Sequence, residues 1–160
     1  MHSALDRFIF KEDFAGQDSW NLLDWCAMHG ADEFSVAMLS LQGSTAPFLE
    51  RAEKLLEAFV LPPAPREFVI GRPLIREAPL WALNSESITA LKRLFPEGLF
   101  MYPTSEWEEG CLEDPTFYRH GALLLGVVSH EGEGRVSVTE GELSELEHVG
   151  YKMFSQSKWL

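Results

Sequence analysis

The stretch from 105 to 121, SEWEEGCLEDPTFYRHG, holds the residue types with the greatest chemical potential in the chain. It contains a thiol, Cys111, a base, His120, and five carboxylates. A cysteine nucleophile needs a base within hydrogen-bond reach, and a long loop could bring these two side chains together. The stretch therefore defines one possible function, a small enzyme that uses Cys111, His120 and the loop carboxylates.

The charges around Cys111 argue against that enzyme. Nearby carboxylates raise the pKa of a thiol, whereas catalytic cysteines lie in electropositive surroundings or at helix N-termini. Arg119 is the one basic side chain besides His120 in the stretch. A carboxylate pair such as Glu108 with Glu113 could do acid–base work, but neighbouring acids are also common on solvated loops. The sequence therefore favours a protein that is not an enzyme and predicts no catalytic residue.

The same stretch has the composition of a binding surface, because aromatic residues alternate with acids. Aromatic anchors supply affinity, and a ring of carboxylates speeds association with a positive partner. Two alternatives remain open: the aromatic residues enter the core while the acids keep the loop solvated, or Tyr102, Trp107 and Tyr118 form a cage for a small cationic ligand. The predicted partner-binding residues are Trp107, Glu108, Glu109, Glu113, Asp114 and Tyr118.

Net charge indicates the kind of partner. The chain carries a formal charge of −12 and has a pI near 4.8, which argues against binding to nucleic acid or to anionic lipid. The acidity is concentrated between 104 and 150, where eleven acids face two arginines. We therefore expect a basic protein partner, bound by an adaptor or by a neutraliser that resembles small acidic immunity proteins by analogy only. Acidity for solubility alone is the alternative, and the oligomeric state is not indicated.

Length and composition predict one domain over 1–160. The chain has 160 residues, of which 46% are hydrophobic, enough for one real core. No apolar run approaches the roughly 18 residues of a spanning helix, and the N-terminus lacks a signal peptide, so we expect a cytoplasmic protein that does not bind membranes. Cys26 and Cys111 are too few for a disulfide framework and are predicted to be free thiols; a single bridge between them is the alternative.

Motifs for known cofactors are missing from the sequence. It has no phosphate-binding glycine loop, no dinucleotide fingerprint, no serine elbow and no zincin motif. The closest grouping of metal-ligating types is His130, Glu131 and Glu133, at the tip of a predicted hairpin, where ligands would lack rigid support. The sequence therefore predicts neither a metal nor a cofactor.

Periodicity and end signals predict four helices. Apolar residues recur every three to four positions in each of them, and capping residues or glycines mark their ends. The predicted helices are 20–30, capped by Ser19 and stopped by Gly30; 46–61, capped by Thr45; 85–95, begun at Asn84 and ended by Pro96; and 142–149, begun by a capping box of Thr139 with Glu142 and ended at Gly150.

Short apolar segments predict the strands, with the strongest signal in a hairpin of 122–128 and 135–138. The stretch 62–66, PPAPR, is interpreted as an exposed crossover, and 105–121 as a loop. The fold class is therefore α+β, with a mixed, mostly antiparallel sheet covered by helices and a C-terminal hairpin followed by a helix; the alternative is a three-layer α/β fold. The other predicted strands are 33–41, for which a helix is the alternative, 67–71, 79–83 and 98–102.

Overall fold

A computed structural model describes residues 4–39, 47–70, 72–100 and 111–158. Short 3-10 turns lie at Glu57–Phe59 and at Ser129–Glu131. No helix in the described part of the chain is long and apolar enough to cross a membrane. The elements in chain order are β1 (Leu5–Phe10), α1 (Gln17–Met28), β2 (Glu33–Leu39), α2 (Pro47–Leu56), β3 (Val60–Ile70), β4 (Arg72–Ala82), α3 (Ser85–Leu94), β5 (Cys111–Arg119), β6 (Ala122–Val128), β7 (Glu133–Val138) and α4 (Glu140–Val149).

The strands form one seven-stranded sheet in the order β1-β7-β6-β5-β2-β4-β3. Each of these neighbouring pairs is antiparallel. The α+β prediction is confirmed, as is the C-terminal hairpin of β6 and β7 followed by α4. The three-layer α/β alternative is wrong for the described residues, because it requires parallel strands joined by crossover helices.

Each of the four described helices contributes buried apolar residues to one core shared with the sheet. Within it, Phe34 of β2 and Phe117 of β5 are fully buried, with ring centroids 6.0 Å apart. Each helix contributes at least one leucine with no exposed surface: Leu23, Leu56, Leu91 and Leu146. The helix stripes therefore face the sheet, as their periodicity predicts.

Local capping chemistry fixes two helix starts as predicted. The side chain of Asn84 accepts hydrogen bonds from the backbone N–H groups of Glu86 and Ser87. At α4, Thr139 accepts from the N–H of Glu142, while the Glu142 carboxylate accepts from the N–H of Thr139. Both arrangements satisfy backbone donors that the first helical turn leaves without partners.

The start of α1 differs from its prediction. The helix begins at Gln17, so Ser19 lies inside the first turn rather than at the cap. Its buried hydroxyl donates to the Gly16 carbonyl at 2.8 Å and accepts from the Leu99 N–H at 3.0 Å. Ser19 therefore joins α1 to the segment after α3. The proposed cap of α2, Thr45, lies outside the described residues.

The sheet curls until β3 contacts β6, although three strands separate them in the sheet order. The contact is close at Gly126, where a Cβ atom would lie 2.5 Å from Cγ2 of Val69, so this position needs glycine. The curl encloses a second, smaller core on the inner side of the β3–β4 hairpin. Its buried members are Phe68, Ala78, Leu80, Tyr118 and Leu123.

Polar contacts hold the curled hairpin against the sheet. Arg66 of β3 pairs with Glu33 of β2, and Arg135 of β7 donates to the Glu67 carboxylate at 2.7 Å. Both arginines are largely buried, where each needs a carboxylate partner to offset the loss of hydration. These ion pairs therefore join the curled hairpin to β2 and to β7.

The two outer strands of the sheet are β1 and β3. On β1, Phe8 exchanges two backbone hydrogen bonds with Phe154 of the C-terminal tail. On the opposite edge, β3 contains Pro62, Pro63 and Pro65, and its register against β4 shifts between Leu61 and Ala64. The stretch 62–66 is thus part of an edge strand and not a crossover; proline is tolerated there because an edge strand can spare N–H donors.

Other strand predictions are corrected in part. Residues 111–119 of the predicted loop form β5, an interior strand between β2 and β6. Residues 98–100 of the predicted strand 98–102 lie in turns, and its last two residues fall outside the described part. The strand prediction for 33–41 is confirmed over Glu33–Leu39, and β1 was not predicted at all.

An ion pair joins the end of β5 to the start of α4. Arg119 donates to both carboxylate oxygens of Glu142, at 2.7 and 2.8 Å, and also to the carbonyl of His29 at 3.1 Å. This hydrogen bonding to Arg119 lowers the pKa of Glu142 to about 2. Bidentate, charge-assisted hydrogen bonds of this kind are stronger than hydrogen bonds between neutral groups.

We expect Glu142 to make folding stability depend on pH. Because its folded pKa lies below the usual value near 4.5, the stabilisation is complete above about pH 4.5 and declines as pH falls toward 2. It amounts to about 2–3 kcal/mol at neutral pH. Urea unfolding between pH 7 and pH 3 should show Glu142→Gln less stable and less pH-dependent than wild type. Glu140→Gln, an exposed neighbour on the same helix, is the control; equal pH slopes in all three proteins would contradict the prediction.

Candidate binding groove

An open groove lies where β2 and β4 separate. The two strands pair only at Glu33 with Ala82 and at Phe34 with Trp81. Beyond Phe34, β2 continues beside β5, whereas β4 continues beside β3. The resulting gap has a volume of about 710 Å³ and is bounded on a third side by the end of α2 and the turn after it.

The floor of the groove is apolar. Val36 of β2, Phe68 of β3 and Trp81 of β4 line it and are each at least nine-tenths buried. Trp81 also stacks on Phe34 at 5.7 Å between ring centroids, which fixes its position. An apolar floor with a few polar groups is the usual composition of a protein binding site.

The rim of the groove is acidic. Glu53 and Glu57 lie at helical spacing on α2 and the following turn, Glu77 lies on β4 and Asp114 on β5. Among the described residues, the one basic side chain that lines it is Arg76, whose guanidinium lies 4.2 Å from the ring centroid of Phe68. Four carboxylates and one guanidinium give the groove a net negative charge.

Asp114 lies at an irregularity in β5. Its φ of 56° is left-handed, which is uncommon for a residue with a side chain, and the register of β5 against β2 shifts at this point. Its N–H donates to the Ser129 hydroxyl at 2.9 Å, and its carboxylate accepts from the Ser129 N–H at 2.8 Å. Burial raises the pKa of Asp114. This carboxylate is therefore held rigidly and is poorly hydrated.

Three side chains at this bulge could ligate a cation. Glu113, Asp114 and His130 each place one ligand atom within 4.8 Å of the others. The sequence grouping of His130, Glu131 and Glu133 does not form, because Glu133 is buried and accepts hydrogen bonds from Ser157 and Lys158. The imidazole of His130 therefore keeps Glu131 as a neighbour, at 3.9 Å, and has Glu113 and Asp114 in place of Glu133.

The predicted partner-binding residues are not all accessible. Asp114 lines the groove, and Glu113, beside it, is half-buried. Tyr118 is fully buried in the second core and donates its hydroxyl proton to the Glu67 carbonyl at 2.9 Å, so it offers no exposed ring to a partner or to a cationic ligand. Trp107, Glu108 and Glu109 lie outside the described residues, as does Tyr102.

The Cys111 and His120 pair does not form. The two residues lie at opposite ends of β5, which separates them by roughly 25–30 Å at about 3.3 Å per residue. Cys111 is fully buried, and burial together with Glu113 and Asp114 raises its thiol pKa to about 11. His120, with φ 49°, forms the two-residue hairpin turn with Gly121. Both Cys111 and Cys26 are free thiols, as predicted.

The groove carboxylates other than Asp114 were not predicted from sequence. In the sequence, Glu53 and Glu57 have the spacing of residues on the solvated side of an amphipathic helix. They line a cavity in the structure because β2 and β4 separate next to them. The fold and groove together define an α+β protein with a curled antiparallel sheet and an acidic cleft between two of its strands. Comparisons with protein-family models, with curated proteins and with solved structures found no match to this chain.

Proposed function

We propose that the chain is a non-catalytic binding protein that holds a basic protein partner in its acidic groove, as an adaptor or as an immunity-like neutraliser. The observation that carries this proposal is the combination of an apolar floor with a carboxylate rim. Apolar contacts supply affinity at the centre of an interface, while charges around them select and steer the partner.

The charges favour a basic partner over a neutral one. In the part of the chain that the structure describes, Arg76 is the one basic residue that lines the groove, and it lies over Phe68. A lysine or arginine from a partner would meet the poorly hydrated carboxylate of Asp114, where an ion pair is screened less than at an open surface. The net charge of −12 attracts a positive partner from a distance and repels acidic competitors.

The groove is continuous with the acidic stretch of the sequence. Asp114 belongs to that stretch and lines the groove, and Glu113 directly precedes it in β5. Trp107, Glu108 and Glu109 remain proposed contacts on this basis. We place the protein in the cytoplasm, where thiols such as Cys26 and Cys111 stay reduced.

A small organic cation is a second candidate ligand, because the groove volume of about 710 Å³ lies within the range of small-molecule sites. The proposed cage of Tyr102, Trp107 and Tyr118 does not support it, since Tyr118 is buried. The enzyme alternative has no support from the geometry of Cys111 and His120.

The test is affinity capture from the source cell with matched charge variants. Glu53→Lys/Glu57→Lys reverses two groove charges, and Glu140→Lys/Glu147→Lys reverses two exposed charges on α4. Both variants have the same net charge, so they differ only in where the change lies. We expect wild type and the α4 variant to retain one basic protein, and the groove variant to lose it.

The captured protein must then bind the wild type when both are purified. If the groove variant and the α4 variant retain the basic protein equally, the groove is not its binding site. Direct binding of a small amine in the groove, with no protein retained by wild type, would favour the second candidate instead.

A further inference from the structure

The groove meets β2 along its edge. Four consecutive residues, Ser35, Val36, Ala37 and Met38, all line it. Side chains alternate between the two faces of a strand, so a cavity above one face would be lined by every second residue. Because four successive residues of β2 line the groove, the groove lies beside this strand, in the plane of the sheet.

The opposite wall is a strand that turns away from β2. Within the described residues, β4 pairs with β2 only at its last two positions, 81 and 82. Pro79, which also lines the groove, has no N–H and cannot donate a hydrogen bond to β2. Beyond this point β4 continues as the partner of β3. The gap is therefore a missing position in the sheet between two strands that are each paired on their far side.

A gap of this kind suits an extended peptide segment. Backbone N–H and C=O groups on the open side of β2 can pair with an added strand, as in other proteins that bind peptides by extending a sheet. Four strand residues span roughly 13 Å at about 3.3 Å per residue, which is room for a segment of four or five residues. The acids around the gap, Glu53, Glu57, Glu77 and Asp114, define the side chains that such a segment should carry.

We propose that the basic partner binds through an extended segment that enters the gap between β2 and β4 and pairs with the backbone of β2. Lysine or arginine at alternate positions would face the acidic side chains of the rim, and the residues between them would face the apolar lining on the opposite side of the sheet. The inference rests on the proposed function and adds the conformation and sequence pattern of the recognised segment. It also explains why the groove lies in the plane of the sheet.

The first test uses the free protein and needs no partner. Amide hydrogen exchange of the full chain should divide the backbone of 35–39 into two classes, because one side of β2 is paired with β5 and the other faces the gap. We expect amides on the open side to exchange at least about tenfold faster than those bonded to β5. Uniform protection of these amides would show that the gap is already closed by the chain itself and would overturn the inference.

The second test uses a defined probe, an eight-residue peptide of alternating lysine and valine. Its control is the same peptide with alternate backbone amides N-methylated, which keeps the charge and removes the N–H donors. We expect the unmodified peptide to protect the open-side amides of β2 and to bind at least tenfold more tightly than the methylated one. Equal affinity of the two peptides, or no binding by either, would overturn strand addition.

The groove variant separates this inference from the proposed function. Glu53→Lys/Glu57→Lys should weaken binding of the lysine–valine peptide and leave the exchange pattern of free β2 unchanged, because neither residue is in the sheet. Suppose that the unmodified and methylated peptides bind equally, while wild type still retains a basic protein that the groove variant loses. Strand addition is then wrong, and the acidic groove remains the proposed binding site. If the groove variant also keeps the partner, both fail.

Discussion

Replacing Leu56 by aspartate should destroy the cooperative fold. Leu56 ends α2, has no exposed surface and belongs to the main core. Truncating a buried leucine alone costs about 2–5 kcal/mol, and burying a carboxylate without a partner adds to that loss. The total is comparable with the roughly 5–15 kcal/mol that stabilises an ordinary domain. Thermal unfolding followed by circular dichroism should show a transition at least about 10 °C lower, or no transition.

Lys54→Asp is the matched control, because it introduces the same residue at an exposed position of the same helix. It should change stability by less than about 1 kcal/mol. A melting temperature of Leu56→Asp within a few degrees of this control would mean that α2 does not contribute its apolar stripe to the core.

Reversing Glu53 and Glu57 should slow association with the basic partner by at least about tenfold at low salt. Both carboxylates are exposed on the groove rim, where they attract a positive partner before contact. Stopped-flow or surface-plasmon kinetics at two salt concentrations would measure the effect. At 0.1 M salt, charges are screened beyond about 10 Å, so wild type and variant rates should converge as salt increases.

The α4 reversal of Glu140 and Glu147 controls for net charge. It should slow association much less, because local charge at the contact site dominates steering. If the two variants slow association equally at low salt, the acidity of the whole chain and not its groove drives the encounter.

The elements that the sequence predicts well are those with local determinants. The caps at Asn84 and Thr139 depend on contacts two or three residues away, and the hairpin of β6 and β7 joins neighbouring segments. In contrast, β1 pairs with β7 from the other end of the chain, and β5 is a strand because β2 and β6 flank it. Long-range pairing therefore overrides the loop predicted for 105–121, and Asp114 and Pro115 lie at a bulge of β5.

The candidate site was likewise predictable from the sequence only in part. Composition predicts that an acidic surface binds a basic partner, and Asp114 is common to the predicted residues and the groove. Sequence spacing could not assign Tyr118, because its burial depends on β3 curling back over the sheet. Nor could it find Glu53 and Glu57 as rim residues, since their role arises from where two distant strands part.

The two outer edges of the sheet bear on aggregation. Unpaired edge strands template the stacking of other chains, which is the usual route from a β-rich protein to insoluble fibres. Here the tail exchanges backbone hydrogen bonds with β1 at Phe8, and β3 carries three prolines that cannot donate. If the gap between β2 and β4 accepts a strand as proposed, these edges would limit further pairing at the outer strands. The proposed binding of a peptide segment would thus use β2, whereas the features that limit edge pairing belong to β1 and β3.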